Sequence, residues 1–228
     1  MGELAAEYDE NMTNNDNSKI GVFPFYLNKD SVKKLNSESG SFLVNEHGIV
    51  QCFEPADDNP FIDEETEIKT NYIYTTHKSI RTFIVPEGVK GFVSDFMRYT
   101  RVLDRFELPE GLLSIGNNSF NHDPECNCVF ANCILPSVVI PESLTEIGIF
   151  AFGHSHIDSL QLPESLHSLY GRQFKDSYIG NLIIHKGWKR GVALGEEGNL
   201  QLNGLWFDEK KYGYLRWPST YVEHLAFY

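Results

Sequence analysis

A short phrase recurs four times in this 228-residue chain, and its regular spacing limits the fold more than any other feature. Each copy reads apolar, variable, apolar, proline, glutamate. The copies begin at Phe83, Phe106, Val138 and Leu160, and a decayed fifth copy that lacks the proline begins at Leu182. The steps between copies are about 22 to 32 residues, a period typical of stacked repeats rather than of a domain with one core.

The residues before each proline have the two-residue period of a β-strand, so the two apolar side chains of a copy point to one face. One copy cannot bury such a row alone, whereas stacked copies bury it continuously. Proline has no N–H to donate to a sheet ladder, and its repeated position marks the common end of a row of parallel strands. The predicted interior pairs are Phe83/Val85, Phe106/Leu108, Val138/Ile140, Leu160/Leu162 and Leu182/Ile184.

Further apolar anchors follow each proline and extend the repeat around the rest of a coil. The anchors eleven residues after the proline are Met97, Phe120, Phe152 and Phe174. In two copies a glycine, Gly116 or Gly148, follows an isoleucine earlier in this stretch. Glycine suits the corner of a coil because it takes positive φ without Cβ strain. The pattern predicts a repeat solenoid of about five coils.

These residues resemble the BspA-like leucine-rich repeat family, most closely over residues 139–152 and 129–133. The resemblance covers residues 80–187. It implies a right-handed stack of coils, mainly β, with a parallel sheet, short turns or 3-10 helices, and β-hairpin caps. It also implies protein binding, and it suggests the adhesion to host or neighbouring-cell proteins that is described for surface or secreted bacterial members.

The segments that flank the repeats are predicted to cover the ends of the stack, because solenoid ends need caps. A hairpin is predicted over 41–53 at one end and over 203–218 at the other. The start of the chain is rich in Asn, Asp and Glu, which is typical of a disordered tail. The predicted domains are a tail over 1–20, an N-terminal cap over 21–79, the repeats over 80–187 and a C-terminal hairpin cap over 188–228.

The formal net charge of −13 comes without a basic stripe, which argues against nucleic acid or an anionic membrane as the partner. No apolar run approaches the length of a membrane helix, so membrane insertion is not expected. The first residues lack the basic and apolar regions of a secretory signal. That favours a cytoplasmic location, whereas the family resemblance favours the cell surface or secretion, and the sequence leaves both open.

The variable position of each strand gives the predicted contact surface. If the sheet lines a concave face, these side chains point outward, where repeat proteins bind their partners. The alternative is that a flanking segment covers them. We call these residues the outward row: Ile84, Glu107, Val139, Gln161 and Ile183.

The glutamate after each proline forms a second predicted feature, an acidic ladder of Glu87, Glu110, Glu142 and Glu164. Stacked at strand spacing, these carboxylates would attract a basic partner or a divalent cation. The alternative is a solvated turn, since Pro-Glu followed by Ser or Gly is a good turn sequence.

The longest step between copies contains an insertion with His122, Cys126 and Cys128, and Cys133 follows it. Histidine and thiolates are zinc ligands, but the favoured interpretation is free thiols in a loop, and a disulfide at Cys126 or Cys128 is the next alternative. Cys133 has the place of a small buried residue in the repeat. His154 and His156 are a weaker pair of candidate metal ligands. No cofactor or resident metal is expected.

The sequence therefore predicts a non-enzymatic scaffold that recognises a protein partner, with adhesion as its more specific form. The first alternative is an intracellular structural or regulatory interaction protein. The second alternative is a metal-dependent enzyme that uses the Cys/His insertion. The chain has no Gly-x-Ser-x-Gly, phosphate-binding glycine loop or His-Glu-x-x-His motif that would support catalysis.

Overall fold

The computed structural model describes residues 32–62, 78–93, 96–116, 128–148, 150–166, 172–184, 193–194, 200–201 and 220–228. Their regular secondary structure is almost entirely β. They form strands β1 (Lys33–Ser37), β2 (Gly40–Val44), β3 (Ile49–Pro55), β4 (Lys78–Ile84), β5 (Gly91–Phe92), β6 (Thr100–Glu107), β7 (Ser114–Ile115), β8 (Ile134–Val139), β9 (Glu146–Ile147), β10 (His156–Leu162), β11 (Tyr178–Ile184), β12 (Ala193–Leu194), β13 (Leu200–Gln201) and β14 (Tyr221–Phe227). A single-turn 3-10 helix spans Arg172–Phe174. None of the described segments forms a helix of the length and apolarity needed to cross a bilayer.

A parallel sheet of six strands, in the order β14-β11-β10-β8-β6-β4, forms one side of a solenoid of about four turns. Equivalent positions of the repeated phrase are in register. Phe83 pairs with Phe106, and Leu160 pairs with both Val138 and Leu182. Because each strand presents its apolar pair to the interior, the stack buries one continuous row. The predicted parallel-sheet solenoid is therefore confirmed, but it has about four turns where the sequence predicts about five coils.

Two further hydrogen-bonded columns complete each coil. The short strands β5, β7 and β9 form the second side, where Lys90 N–H bonds to Gly48 oxygen at 2.8 Å and Leu113 N–H bonds to Lys90 oxygen at 3.0 Å. A tight turn forms the third side, where Phe152 N–H bonds to Gln173 oxygen at 2.9 Å. Backbone polar groups are thus paired between neighbouring coils on all three sides, which buried backbone requires.

The core of the stack is a column of phenylalanine rings. Phe130 and Phe152 stack with ring centroids 5.4 Å apart, and Phe152 and Phe174 stack at 5.2 Å with planes only 9° apart. The spacing from the proline predicts Phe120 as the equivalent anchor of the second coil, but Phe120 lies outside the described residues. Phe130 occupies this position in the ring column, so the insertion lies on the N-terminal side of the anchor and not after it.

A column of buried hydroxyl and thiol groups runs beside the rings. Each group donates to a carbonyl of the preceding coil: Ser155 Oγ to Phe130 oxygen at 2.8 Å, Ser177 Oγ to Phe152 oxygen at 2.6 Å, Thr220 Oγ1 to Phe174 oxygen at 2.7 Å, and Cys133 Sγ to Met97 oxygen at 3.0 Å. Two of the hydroxyls also accept a backbone N–H, since Cys133 N–H bonds to Ser155 Oγ and Ser155 N–H to Ser177 Oγ, each at 3.1 Å. The prediction that Cys133 is a small buried residue is confirmed.

The N-terminal edge of the main sheet is closed by side chains from the β1–β3 region. Ser39 Oγ donates to Ile84 oxygen at 3.1 Å and accepts Ile84 N–H at 2.9 Å. The Asn59 amide bonds to Thr82 oxygen at 2.8 Å and accepts Thr82 N–H at 3.1 Å. Ile62 pairs with Ser79 through two backbone bonds of 2.7 Å. The predicted hairpin over 41–53 is present as the antiparallel pair β2–β3.

The main sheet continues beyond the predicted end of the repeats at residue 187. Strand β14 lies in the region assigned to the C-terminal cap, yet it pairs parallel with β11, with Leu182 opposite Leu225. Strands β12 and β13 form a short antiparallel pair between them in sequence. The tail over 1–20 and the hairpin over 203–218 lie outside the described residues, and the domain boundaries stay predictions.

Candidate functional site

The outward row lies along one line on the solvent face of the main sheet. Ile84 is opposite Glu107, and Gln161 is opposite both Val139 and Ile183. Ala226 of β14 extends the same line beyond Ile183; it was missed in the sequence because its copy of the phrase has neither the proline nor the glutamate. Val139 is 51% exposed, whereas the other aliphatic members of the row, Ile84 and Ile183, are half-buried.

The sheet opens into a cleft between β6 and β8. These strands are in register at only one pair among the described residues, Arg101 opposite Ile134, whereas β10 and β11 register at six pairs. The cleft has a volume of ≈ 350 Å³. Leu108 lies in its wall and is only partly buried, unlike the other predicted interior residues that close their strands.

A β-bulge in β6 explains the opening. Two residues of β6, Leu103 and Asp104, stand opposite the single residue Arg81 of β4. An extra residue disrupts the ladder and bends the bulged strand, so β6 diverges from β8 after the bulge. Elsewhere in the sheet, Val85 and Ile140 donate their N–H to the next strand, each at 3.0 Å. Among the described residues, the equivalent bond from Leu108 to β8 is absent.

Charged side chains surround the cleft. Arg105 donates to Glu107 Oε1 through Nε at 3.0 Å and through Nη2 at 2.7 Å, and it also donates to Glu38. These contacts, first of all the hydrogen bond to Glu107, raise the pKa of Arg105. Asp104 forms an ion pair with Arg81 at 3.0 Å. The lining therefore contains three carboxylates (Asp104, Glu107 and Glu110) and one guanidinium, that of Arg105, which is already hydrogen-bonded to Glu107 and Glu38.

The apolar part of the lining consists of side chains on the two strands and the turns that follow them. Phe106 and Leu108 come from the β6 side, and Pro136, Val139 and Pro141 come from the β8 side. The cleft thus combines an apolar wall with an acidic rim. It also joins the two predicted features, since Glu107 and Val139 belong to the outward row and Glu110 to the acidic ladder.

The acidic ladder is exposed throughout, but its members make different contacts. The carboxylate of Glu142 accepts the backbone N–H groups of Glu164 and Ser165 in the next coil, both at 3.3 Å. This contact gives Glu142 a structural role between coils. Glu87 and Glu110 lie in turns with exposed side chains. Among the described residues, no group of three or more His, Cys, Asp and Glu is placed to hold a metal ion.

The cysteines of the insertion are only partly described. His122 and Cys126 lie outside the described residues, so their candidate zinc site stays a prediction. Cys128 is half-buried, and Cys133 is a buried free thiol. Burial raises the pKa of Cys133 to about 12. Cys133 is fully buried and its Sγ donates to Met97 oxygen, which agrees with a structural role.

His154 and His156 are held apart by separate contacts with the neighbouring coil and with their own strand. His154 Nδ1 lies 3.9 Å from Asp176 Oδ2, and burial lowers the pKa of His154. His156 Nε2 lies 3.0 Å from Asp158 Oδ1, and its ring stacks on Tyr178 with centroids 4.5 Å apart. Each imidazole thus has its own partner, and the two do not converge on one point.

The comparison with protein families agrees with this architecture. A family model described as BspA type leucine rich repeat region matches in six copies, over residues 14–127 and 124–190. The match begins at residue 14, far ahead of the first clear phrase, and therefore includes the whole segment interpreted as the N-terminal cap. No curated protein and no solved structure matches the chain.

Proposed function

This chain belongs to the family of BspA-type leucine-rich repeat proteins, and we propose that it is a non-enzymatic scaffold that binds a protein partner through the outward face of its main sheet. The observation that carries the proposal is the exposed Val139 at the centre of the outward row, beside the cleft between β6 and β8. Exposed apolar side chains beside polar ones are typical of protein interaction sites.

Site-specific photo-cross-linking tests this proposal. A benzophenone amino acid at Val139 should cross-link a discrete partner in source cells. The matched control is the same amino acid at Leu113, an aliphatic residue of similar exposure (48% against 51%) on another side of the coil. Cross-linked species that are the same from both positions, or none from Val139, would contradict binding through the outward face.

The variant Val139→Lys provides a second test once a partner has been cross-linked. It places a charge in the outward row without touching the interior, so partner binding should weaken while the melting temperature changes little. Leu113→Lys is the control for added positive charge. Equal binding by the wild type and both variants would remove the outward row from consideration.

Adhesion to host or neighbouring-cell proteins is the more specific form of the proposal, and it rests on the family resemblance. The competing form is an intracellular structural or regulatory interaction. Fractionation of source cells together with protease treatment of intact cells separates them. Cleavage on intact cells supports adhesion, whereas protection until lysis supports the intracellular form.

A further inference from the structure

We propose that the cleft between β6 and β8 binds a basic side chain, arginine or lysine, carried by an extended segment of the partner protein. This inference rests on the proposed function, because it specifies the chemistry of a partner that docks on the outward face. It goes beyond that function because it locates partner recognition at the cleft. Among the described residues, this is where neighbouring strands of the main sheet separate.

The size and apolar wall of the cleft suit a long aliphatic side chain. A volume of ≈ 350 Å³ is at the lower end of the range for small-molecule sites, about 300–1,000 Å³. Pro136, Val139 and Pro141 offer carbon surface against which the methylene groups of arginine or lysine would pack. Both side chains bury such stems while their charged ends remain with polar groups.

The rim supplies the charge complementarity. Both bonds from Arg105 to Glu107 end on Oε1, which leaves Oε2 of Glu107 able to accept from another donor. Glu110 adds a second carboxylate on the same rim. The chain carries 32 acidic and 19 Lys and Arg residues, so its overall field also attracts a cationic segment and repels an acidic one.

The backbone at the cleft favours an extended segment over an isolated cation. In a continuous sheet, the N–H of Leu108 would donate a hydrogen bond to β8. Among the described residues, no such bond from Leu108 to β8 is present. An extended peptide presents carbonyl oxygens that accept such a donor, as happens when a peptide adds to an unpaired strand. A basic side chain and its own backbone would thus occupy the cleft together.

Peptide titration followed by NMR tests this inference on the full 228-residue chain. The probe is the blocked pentapeptide Gly-Val-Arg-Val-Gly, and the controls replace Arg with citrulline, which keeps the shape without the charge, or with Glu. The Arg peptide should shift the amide signals of Leu108 and Val139. Citrulline should bind about five- to tenfold more weakly, because a hydrogen bond to a charged group contributes more than a neutral one.

Matched glutamate variants locate the binding. Glu107→Gln and Glu110→Gln should each weaken binding of the Arg peptide several-fold. Glu87→Gln removes the equivalent carboxylate from the preceding turn, away from the cleft, and should leave the affinity unchanged. Comparison of the amide spectra of the free variants verifies that each one retains the fold.

Several outcomes would overturn the inference. Equal affinity for the Arg and citrulline peptides excludes charge recognition. Shifts confined to Gln161 and Ile183 exclude the cleft but keep the outward face as the binding surface. If no peptide binds at millimolar concentration, the basic-segment proposal is wrong, while photo-cross-linking at Val139 still decides the proposed function independently.

Discussion

Replacement of one hydroxyl in the buried column should destabilise the whole stack. Ser155 Oγ donates to Phe130 oxygen at 2.8 Å and accepts Cys133 N–H at 3.1 Å, and Ser155 is fully buried. Ser155→Ala removes both bonds and leaves two buried backbone groups unmatched. A buried polar group that loses its partner costs about 1–3 kcal/mol. We therefore expect the free energy of unfolding to fall by about 3 kcal/mol.

The assay is urea unfolding together with thermal melting. For a chain of this size, a loss of about 3 kcal/mol corresponds to a decrease of about 6–12 °C in melting temperature. The matched control is Ser165→Ala. The hydroxyl of Ser165 is buried but has no hydrogen-bond partner among the described residues, so its removal should cost little or stabilise the protein.

A second control retains the column chemistry. Ser155→Cys reproduces the thiol that Cys133 already supplies one coil earlier, where its sulfur donates to Met97 oxygen at 3.0 Å, and it should be milder than Ser155→Ala. If Ser155→Ala costs less than about 1 kcal/mol, or no more than Ser165→Ala, the hydroxyl column does not stabilise the stack as argued.

Three further predictions concern other parts of the chain. Burial lowers the pKa of His154 in the folded state, so the unfolded chain binds more protons as the pH falls through 6.5, and the free energy of unfolding should decrease below that pH. Asparagine tolerates the local φ of 55°, so His154→Asn should reduce this pH dependence when urea unfolding is compared at pH 7 and pH 5. An unchanged pH dependence would contradict the argument. Gly40→Ala would place a Cβ 2.2 Å from Glu54 oxygen at φ +147°, so we expect a loss of more than about 2 kcal/mol in thermal melting, and near-wild-type stability would contradict the steric argument. Because the pKa of the Cys133 thiol is raised to about 12, iodoacetamide at pH 8 should modify it only after unfolding, and peptide mapping that shows equal labelling of folded and unfolded protein would refute this.

The main sheet could be predicted from the sequence because its signal is local. Alternating apolar residues specify which side chains face inward, and the proline marks where each strand ends. The rows Phe83–Phe106 and Val138–Leu160–Leu182 follow directly, and the structure pairs them in register. Counting eleven residues from the proline does not give the ring-column residue of the second coil, because an insertion lengthens the spacing there. The residue that stacks on Phe152 in this coil is Phe130.

The candidate site could be predicted only in part. The outward row followed from strand periodicity, so Glu107 and Val139 were found. The cleft beside them depends on one extra residue in β6 relative to β4, and a bulge has no periodic signature. The roles of Ser39 and Asn59 also depend on contacts that join positions far apart in sequence, Ser39 with Ile84 and Asn59 with Thr82. Spacing along the chain carries no information about such contacts.

Because contacts from Ser39, Asn59 and Ile62 close the β4 edge of the main sheet, the two ends of the solenoid differ in how easily a further coil could be added. Ser39, Asn59 and Ile62 already satisfy the outer polar groups of Ser79, Thr82 and Ile84. These backbone groups are therefore not available to a strand from another molecule, which protects this part of the edge against sheet-to-sheet polymerisation. Duplication of a whole coil can therefore lengthen the protein within the stack or at the β14 side. A graft in front of β4 would have to displace the three closing contacts.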